Sequence, residues 1–147
     1  MPKYSRGVTL IELLIVTVII AVLASIAVPT YRSYVLRSNR TTATSTLLRV
    51  QQAQEKFFLS NNAYSTKLTD KSADGGLGIP NVTDNGAFYD VSLGPPSTAT
   101  SYTVYAKARG DTRQTDDTRC AQFSIDQNGL RKAQSATAAD TTAECWR

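Results

Sequence analysis

The residues that could carry out chemistry in this 147-residue chain are two cysteines, a group of aspartates and many hydroxyl side chains. The sequence contains no histidine. Imidazole is the commonest general base, the usual activator of serine and cysteine nucleophiles, and the commonest metal ligand. Because Ser-His-Asp and Cys-His arrangements are excluded, the sequence predicts a protein with no enzymatic activity, no catalytic residues and no cofactor.

Three aspartates, Asp111, Asp116 and Asp117, lie close together and could offer oxygen ligands to calcium. Their spacing does not match the EF-hand loop, and arginines at positions 109, 113 and 119 are interleaved with them. We therefore expect an exposed turn here and no metal site.

The apolar residues are concentrated near the start of the chain. Residues 8–28 form a run of 21 residues with a single charge, Glu12. As a helix this run would be about 31 Å long, which matches the hydrocarbon thickness of a bilayer. Basic residues flank both ends, so the positive-inside rule does not decide the orientation. A signal peptide cleaved before Val28 and a retained membrane segment both fit this composition.

The string GVTLIELL at residues 7–14 follows a short basic leader and precedes the apolar run. This string resembles the processing site of type IV prepilins. The resemblance implies that residues 1–7 are a leader, that prepilin peptidase cleaves after Gly7, and that the new amino group of Val8 is methylated. Phenylalanine or methionine is commoner than valine at that position in the family. The resemblance also implies a single-pass protein of the bacterial inner membrane with a periplasmic C-terminal domain, which then enters an extracellular pilus.

Glu12 falls where the prepilin family keeps a glutamate, at the fifth position after cleavage. A carboxylate within an apolar segment costs about 2.5–3.5 kcal/mol on insertion scales. The N-terminal ammonium of a neighbouring subunit could neutralise Glu12 when subunits stagger along a filament. The alternative is that Glu12 only reaches the headgroups from near the helix end. The resemblance favours the pairing in assembly.

Beyond the apolar run, the sequence predicts that one helix continues to about residue 60. Pro29 lacks an N–H group and is expected to kink or locally open this helix. Apolar residues and one glutamine then recur at helical spacing, and we expect this face to cover a sheet. They are Leu36, Ala43, Leu47, Val50, Gln54 and Phe57. The basic residues of the segment are expected on a solvated or inter-subunit face. They are Arg32, Arg37, Arg40, Arg49 and Lys56.

We expect residues 61–87 to form a long surface loop. After this loop the hydrophobic pattern changes to a period of two, which is typical of strands. Alternating runs at residues 88–93, 101–108 and 120–126 predict strands, and the turn sequence DQNG at 126–129 predicts a hairpin. The expected fold class is α+β, with a long N-terminal helix over three or four antiparallel strands, which matches the pilin fold. The expected segments are 8–28, 29–60 and 61–147, with 29–147 as one globular domain.

Cys120 and Cys145 bracket the C-terminal region of the chain. An exported protein with two cysteines most simply forms one disulfide. Closing a loop of about 26 residues would stabilise the fold by about 3.5 kcal/mol in the chain-entropy estimate. In the pilin family such a region is exposed and variable, and the Cys-Trp ending after a DQNG turn resembles minor pilins of the PilE type, within type IVa. We expect Trp146 to pack this region against the sheet.

Function hypotheses of different classes remain open. The favoured one is a minor pilin that assembles with other pilin subunits, meets the inner-membrane assembly machinery, and supports twitching motility, adhesion or DNA uptake. A DNA-binding competence pilin is the first alternative, but residues 101–147 carry seven Lys/Arg and six Asp/Glu, less positive charge than phosphate binding predicts. A type II secretion pseudopilin and a secreted globular protein with a cleaved signal peptide are the others.

Overall fold

The computed structural model describes residues 8–81, 83, 87–95 and 97–146. By its internal contacts the chain divides into two units, Met1–Val35 and Leu36–Arg147. The expected leader, residues 1–7 with Gly7, lies outside the described residues.

One long helix, α1, spans Leu10–Asn61 and continues through Pro29. At its start, Thr9 Oγ1 accepts a hydrogen bond of 3.3 Å from the backbone N–H of Glu12, as an N-cap side chain does. At its end, Asn62 adopts a left-handed conformation with φ of 53°, which terminates the helix. The predicted continuation of the helix to about residue 60 is confirmed.

In the first unit, every Leu, Ile and Val between Val8 and Val28 is exposed in the isolated chain. Within the described residues, α1 is long and apolar enough to cross a membrane by length and composition, a criterion that an N-terminal signal sequence also meets. Because none of the residues that the structure describes covers these side chains, they are available to lipid or to another protein chain.

In the second unit, α1 contributes one buried face to the core. Its buried residues are Ala43, Thr46, Leu47, Val50 and Gln54. Leu36 and Phe57, at the two ends of the predicted stripe, are half-buried. The sheet side of this core includes Tyr89, Val91, Tyr102, Val104, Ala106, Phe123 and Ile125. The predicted helix-on-sheet packing is confirmed.

Four antiparallel strands form a meander in the order β1-β2-β3-β4. They are β1 Tyr89–Gly94, β2 Thr103–Ala108, β3 Gln122–Asp126 and β4 Arg131–Gln134. Ala106 stands opposite Phe123, and Phe123 stands opposite Ala133, so that alternate residues of each strand face the core. At the predicted hairpin, Asp126 Oδ1 accepts hydrogen bonds from two backbone N–H groups of the turn, and Gly129 has φ of 75°. The predicted strands and hairpin are confirmed.

The segment between α1 and β1 is more closely held than the sequence predicts. Ser65, Leu68 and Ile79 are buried, so the expectation of a simple surface loop is wrong for these residues. For Ser65 the reason is Gln54, whose side chain lies in the core and needs partners for both amide atoms. Gln54 Nε2 donates to the Ser65 carbonyl at 2.8 Å, and Gln54 Oε1 accepts from the Ser65 N–H at 2.9 Å.

Candidate functional site

The first candidate site is the start of α1. Val8 is 69% exposed, and Glu12 is exposed in the first helical turn. A carboxylate at this position also interacts favourably with the helix dipole. One negative charge is thus surrounded by exposed aliphatic side chains. The aliphatic side chains can contact a hydrocarbon surface, and the carboxylate can pair with a single cation. The role of Pro29 as a kink stays a prediction.

The second candidate site is the C-terminal region, in which Cys120 and Cys145 form the expected disulfide. Both half-cystines are buried. The segment that the disulfide holds covers the outer edge of β4, because Thr141 N–H donates to the Ala133 carbonyl at 3.0 Å and Ala133 N–H donates to Thr142 Oγ1 at 2.9 Å. An edge strand whose backbone groups are already bonded is protected from pairing with another chain.

Trp146 packs this region against the sheet, as expected. Its ring meets Phe123 edge to face with centroids 5.9 Å apart, and its Nε1 donates to the Lys132 carbonyl at 2.9 Å. The Arg131 guanidinium lies 5.3 Å from the centroid of the same ring, within the range of a cation–π interaction.

A buried ion pair joins α1 to the segment before the disulfide. Arg40 Nε and Nη2 donate to the two carboxylate oxygens of Asp117 at 2.6 and 2.8 Å. The Asp117 carboxylate also accepts from Gln114 Nε2 at 3.2 Å and from the Cys120 N–H at 3.3 Å. The hydrogen bond and charge of Asp117 raise the pKa of Arg40. The expectations of a solvated Arg40 and of an exposed turn at Asp117 are therefore wrong.

Further hydrogen bonds extend this pair into a network. Gln114 Nε2 also donates to the Tyr89 hydroxyl at 2.9 Å, and Asn39 Nδ2 donates to Gln114 Oε1 at 2.9 Å. The Tyr89 hydroxyl in turn donates to the Cys120 carbonyl at 3.2 Å. We call this set of side chains the Asp117 network, and its members are Asn39, Arg40, Tyr89, Gln114 and Asp117. The sequence signal for it was the gap in the helix stripe between Leu36 and Ala43, where Asn39 and Arg40 lie on the core face.

The aspartate cluster does not form a metal site. Asp111 pairs with Arg109 at 2.7 Å, and this hydrogen bond lowers the pKa of Asp111. Asp117 forms an ion pair with Arg40. Among the described residues, no group of three or more potential ligands could hold a metal ion. Arg109 and Arg40 thus neutralise two of the three carboxylates that calcium would need.

Two buried tyrosines should make the fold sensitive to alkali. Burial raises the pKa of Tyr89, as does the charge of Asp117, and burial also raises the pKa of Tyr102. The unfolded chain then loses these protons near pH 10 while the folded chain keeps them. Stability present below pH 10 should fall above it, by about 1.4 kcal/mol per pH unit for each phenol. Denaturant midpoints measured at pH 8 to 11.5 test this, and a flat profile above pH 10 would contradict it.

The same two tyrosines should respond oppositely to replacement by phenylalanine. Among the described residues, the Tyr102 hydroxyl is a buried polar atom without a hydrogen-bond partner, whereas the Tyr89 hydroxyl has two. We expect Tyr102→Phe to raise the free energy of unfolding by about 1–2 kcal/mol and Tyr89→Phe to lower it by about 1–3 kcal/mol. Denaturant titration of both variants decides the point, and shifts of the same sign would contradict the hydrogen-bond assignment.

Comparison with known proteins identifies the family. A family model described as "Type IV minor pilin ComP, DNA uptake sequence receptor" matches residues 29–124, and one described as "Prokaryotic N-terminal methylation motif" matches residues 2–28. The chain belongs to the type IV pilin family. Membership in this family makes it a structural subunit of a pilus and not an enzyme, as the absence of histidine predicted.

Individual relatives agree with this assignment. The wide pilus major component PilA4 of Thermus thermophilus is 35% identical to this pilin over 110 residues, which cover 75% of the pilin and 79% of the relative. The major pilin PilA of Myxococcus xanthus is 43% identical over 61 residues, 42% of this pilin and 28% of that protein. A fimbrial protein of Pseudomonas aeruginosa is 36% identical over 77 residues, 52% of this pilin and 50% of that protein. The chain thus spans half or less of the length of two of these relatives.

Among solved structures, a type IV pilin from Shewanella oneidensis aligns to 65% of this pilin and 89% of that chain, with 22% identity and a TM-score of 0.48. The apolar start of α1 and the methylation motif are consistent with membrane anchoring and with a pilus.

Proposed function

We propose that this pilin is cleaved between Gly7 and Val8, methylated at Val8, and assembled into a type IV pilus through residues 8–28. The observation that carries the proposal is the exposure of every Leu, Ile and Val of this segment around one carboxylate, Glu12. Moving one such side chain out of water is worth about 1.5–3 kcal/mol, so the segment gains free energy by entering lipid or a bundle of other copies. In this proposal residues 29–60 and 61–147 remain outside the membrane.

The partners follow from the same segment. Prepilin peptidase would act on the motif at residues 7–14, and the inner-membrane assembly machinery would move the processed subunit from lipid into the filament. The C-terminal domain would face the periplasm before assembly. The family model that matches is named for a minor pilin, and we propose that this chain is a minor subunit that supports assembly, with effects on motility or adhesion through the pilus.

Replacing Glu12 by glutamine tests its role in assembly. In the proposed filament, Glu12 meets the N-terminal ammonium of a neighbour in a water-poor core, where an unpaired charge is costly. We expect Glu12→Gln to reduce the amount of this pilin in sheared pili at least tenfold, with its amount in the inner membrane unchanged. Immunoblots of the two fractions measure both quantities.

The control for this experiment separates assembly from helix formation. Thr9→Val removes the side chain that caps α1 at the Glu12 N–H and leaves the carboxylate in place. We expect this variant to enter pili at nearly the normal level. Normal assembly of Glu12→Gln, or an equal loss in Thr9→Val, would contradict the pairing role.

DNA reception is a second candidate function, favoured by the description of the matching family model as a DNA uptake sequence receptor. Lys56, Lys71 and Arg113 are exposed and form no ion pair with the described residues. On the outer face of the sheet, however, Lys107 stands directly opposite Asp90, which reduces the positive charge there. Because residues 101–147 carry seven Lys/Arg against six Asp/Glu, the charge of this region favours the structural role.

Binding of a fluorescently labelled DNA duplex to the detergent-solubilised processed chain distinguishes DNA reception from a purely structural role. Affinity that falls at least tenfold between 50 and 200 mM salt would show phosphate-driven binding and support DNA reception. Absence of binding at 50 mM salt would exclude it and leave the structural role.

A further inference from the structure

The Asp117 network holds both backbone groups of one half-cystine. Cys120 N–H donates to Asp117 Oδ1 at 3.3 Å, and the Cys120 carbonyl accepts from the Tyr89 hydroxyl at 3.2 Å. The same carboxylate receives two hydrogen bonds from Arg40 of α1, and Asn39 is bonded to Gln114 of the network. One buried carboxylate therefore fixes a helix turn and a disulfide position at once.

We propose that Asp117 couples closure of the Cys120–Cys145 disulfide to docking of the Asn39–Arg40 turn of α1 on the domain. With the disulfide closed, Cys120 is held where its N–H completes the hydrogen bonds of the Asp117 carboxylate. That carboxylate is then fixed to receive Arg40 with both oxygens. Oxidation of the exported chain thus sets the position of the helix segment, and the docked helix in turn stabilises the disulfide.

The chemical step is ordinary thiol–disulfide exchange. The two thiols of Cys120 and Cys145 lose two protons and two electrons, and a disulfide oxidant takes them up and becomes two thiols. Thermodynamic coupling is reciprocal: if disulfide closure strengthens the helix contact, the helix contact makes the disulfide harder to reduce. The coupling is therefore measurable from the disulfide, without any assay of pilus assembly.

The experiment is a redox titration of the full processed chain in detergent with mixtures of reduced and oxidised dithiothreitol, quenched by alkylation and read by intact mass. The quantity measured is the ratio of reduced to oxidised dithiothreitol at which half of the protein disulfide is reduced. We expect Asp117→Asn to lower this ratio about tenfold, which means that the disulfide is easier to reduce. Arg40→Gln removes the same ion pair from the helix side and should give a similar shift, which keeps the test valid should Asp117→Asn fold poorly.

Two control variants separate this coupling from the loss of a surface charge and from a general loss of stability. Asp111→Asn removes an exposed aspartate whose pair with Arg109 is outside the network, and Val50→Ala weakens the core of α1 elsewhere. Both should titrate within twofold of the unmodified chain. A shift below twofold for both Asp117→Asn and Arg40→Gln, or a shift in Val50→Ala as large as theirs, would overturn the proposal.

Discussion

Replacing Asp117 by asparagine is expected to lower the free energy of unfolding by about 2–4 kcal/mol, slightly less than breaking a fully buried ion pair costs. The side chain of Asp117 is only 2% exposed, and removal of its charge leaves Arg40 without its partner. The Arg40 side chain is 21% exposed, so its guanidinium regains some hydration, which moderates the loss. Chemical denaturation of the processed chain in detergent, followed by circular dichroism, gives the value.

The matched control for Asp117 is Asp111, which makes the same bidentate contact with an arginine at the surface. Asp111 is 65% exposed, so its pair with Arg109 is screened by solvent. Asp111→Asn should leave the free energy of unfolding close to that of the unmodified chain. Equal effects of the two substitutions would contradict the conclusion that the Asp117 network holds the helix to the domain.

Removing the disulfide by the double substitution Cys120→Ser and Cys145→Ser is expected to lower the free energy of unfolding by about 2–5 kcal/mol. The loss frees the segment that covers the edge of β4, so the variant should also associate through that edge. Denaturant titration measures the stability, and sedimentation velocity in detergent measures the association.

The control for the edge is Trp146→Phe, which keeps the disulfide and an aromatic ring against Phe123 but removes the hydrogen bond to the Lys132 carbonyl. It should cost about 1 kcal/mol and leave the association state unchanged. Stability and association of the double serine variant equal to those of the unmodified chain would contradict the protective role of the disulfide region.

Much of this fold was predictable from local patterns. The helix follows from the apolar run and the stripe at helical spacing, and the strands follow from alternation around Val91, Val104 and Phe123. The DQNG turn fixed the pairing of the last two strands, since such turns join adjacent antiparallel strands. The disulfide followed from the presence of two cysteines in a chain whose sequence predicted export.

The Asp117 network was not predictable in the same way. Arg40 and Asp117 are 77 residues apart, and each was assigned to the surface because charged side chains usually lie there. The burial of Ser65 likewise depends on its two hydrogen bonds with the Gln54 side chain, which no period in the sequence reports. At the start of α1 the sequence carries the argument instead, because the proposed role of Glu12 rests on a motif and on partners outside the chain.

The most direct test of this account is the intact mass and N-terminal sequence of the protein taken from a native membrane fraction. The account predicts a chain that begins at an N-methylated Val8 and retains residues 8–28. A chain that begins at Val28 would show that the apolar run is a removed signal peptide. That result would contradict both the membrane segment and the proposed assembly through it.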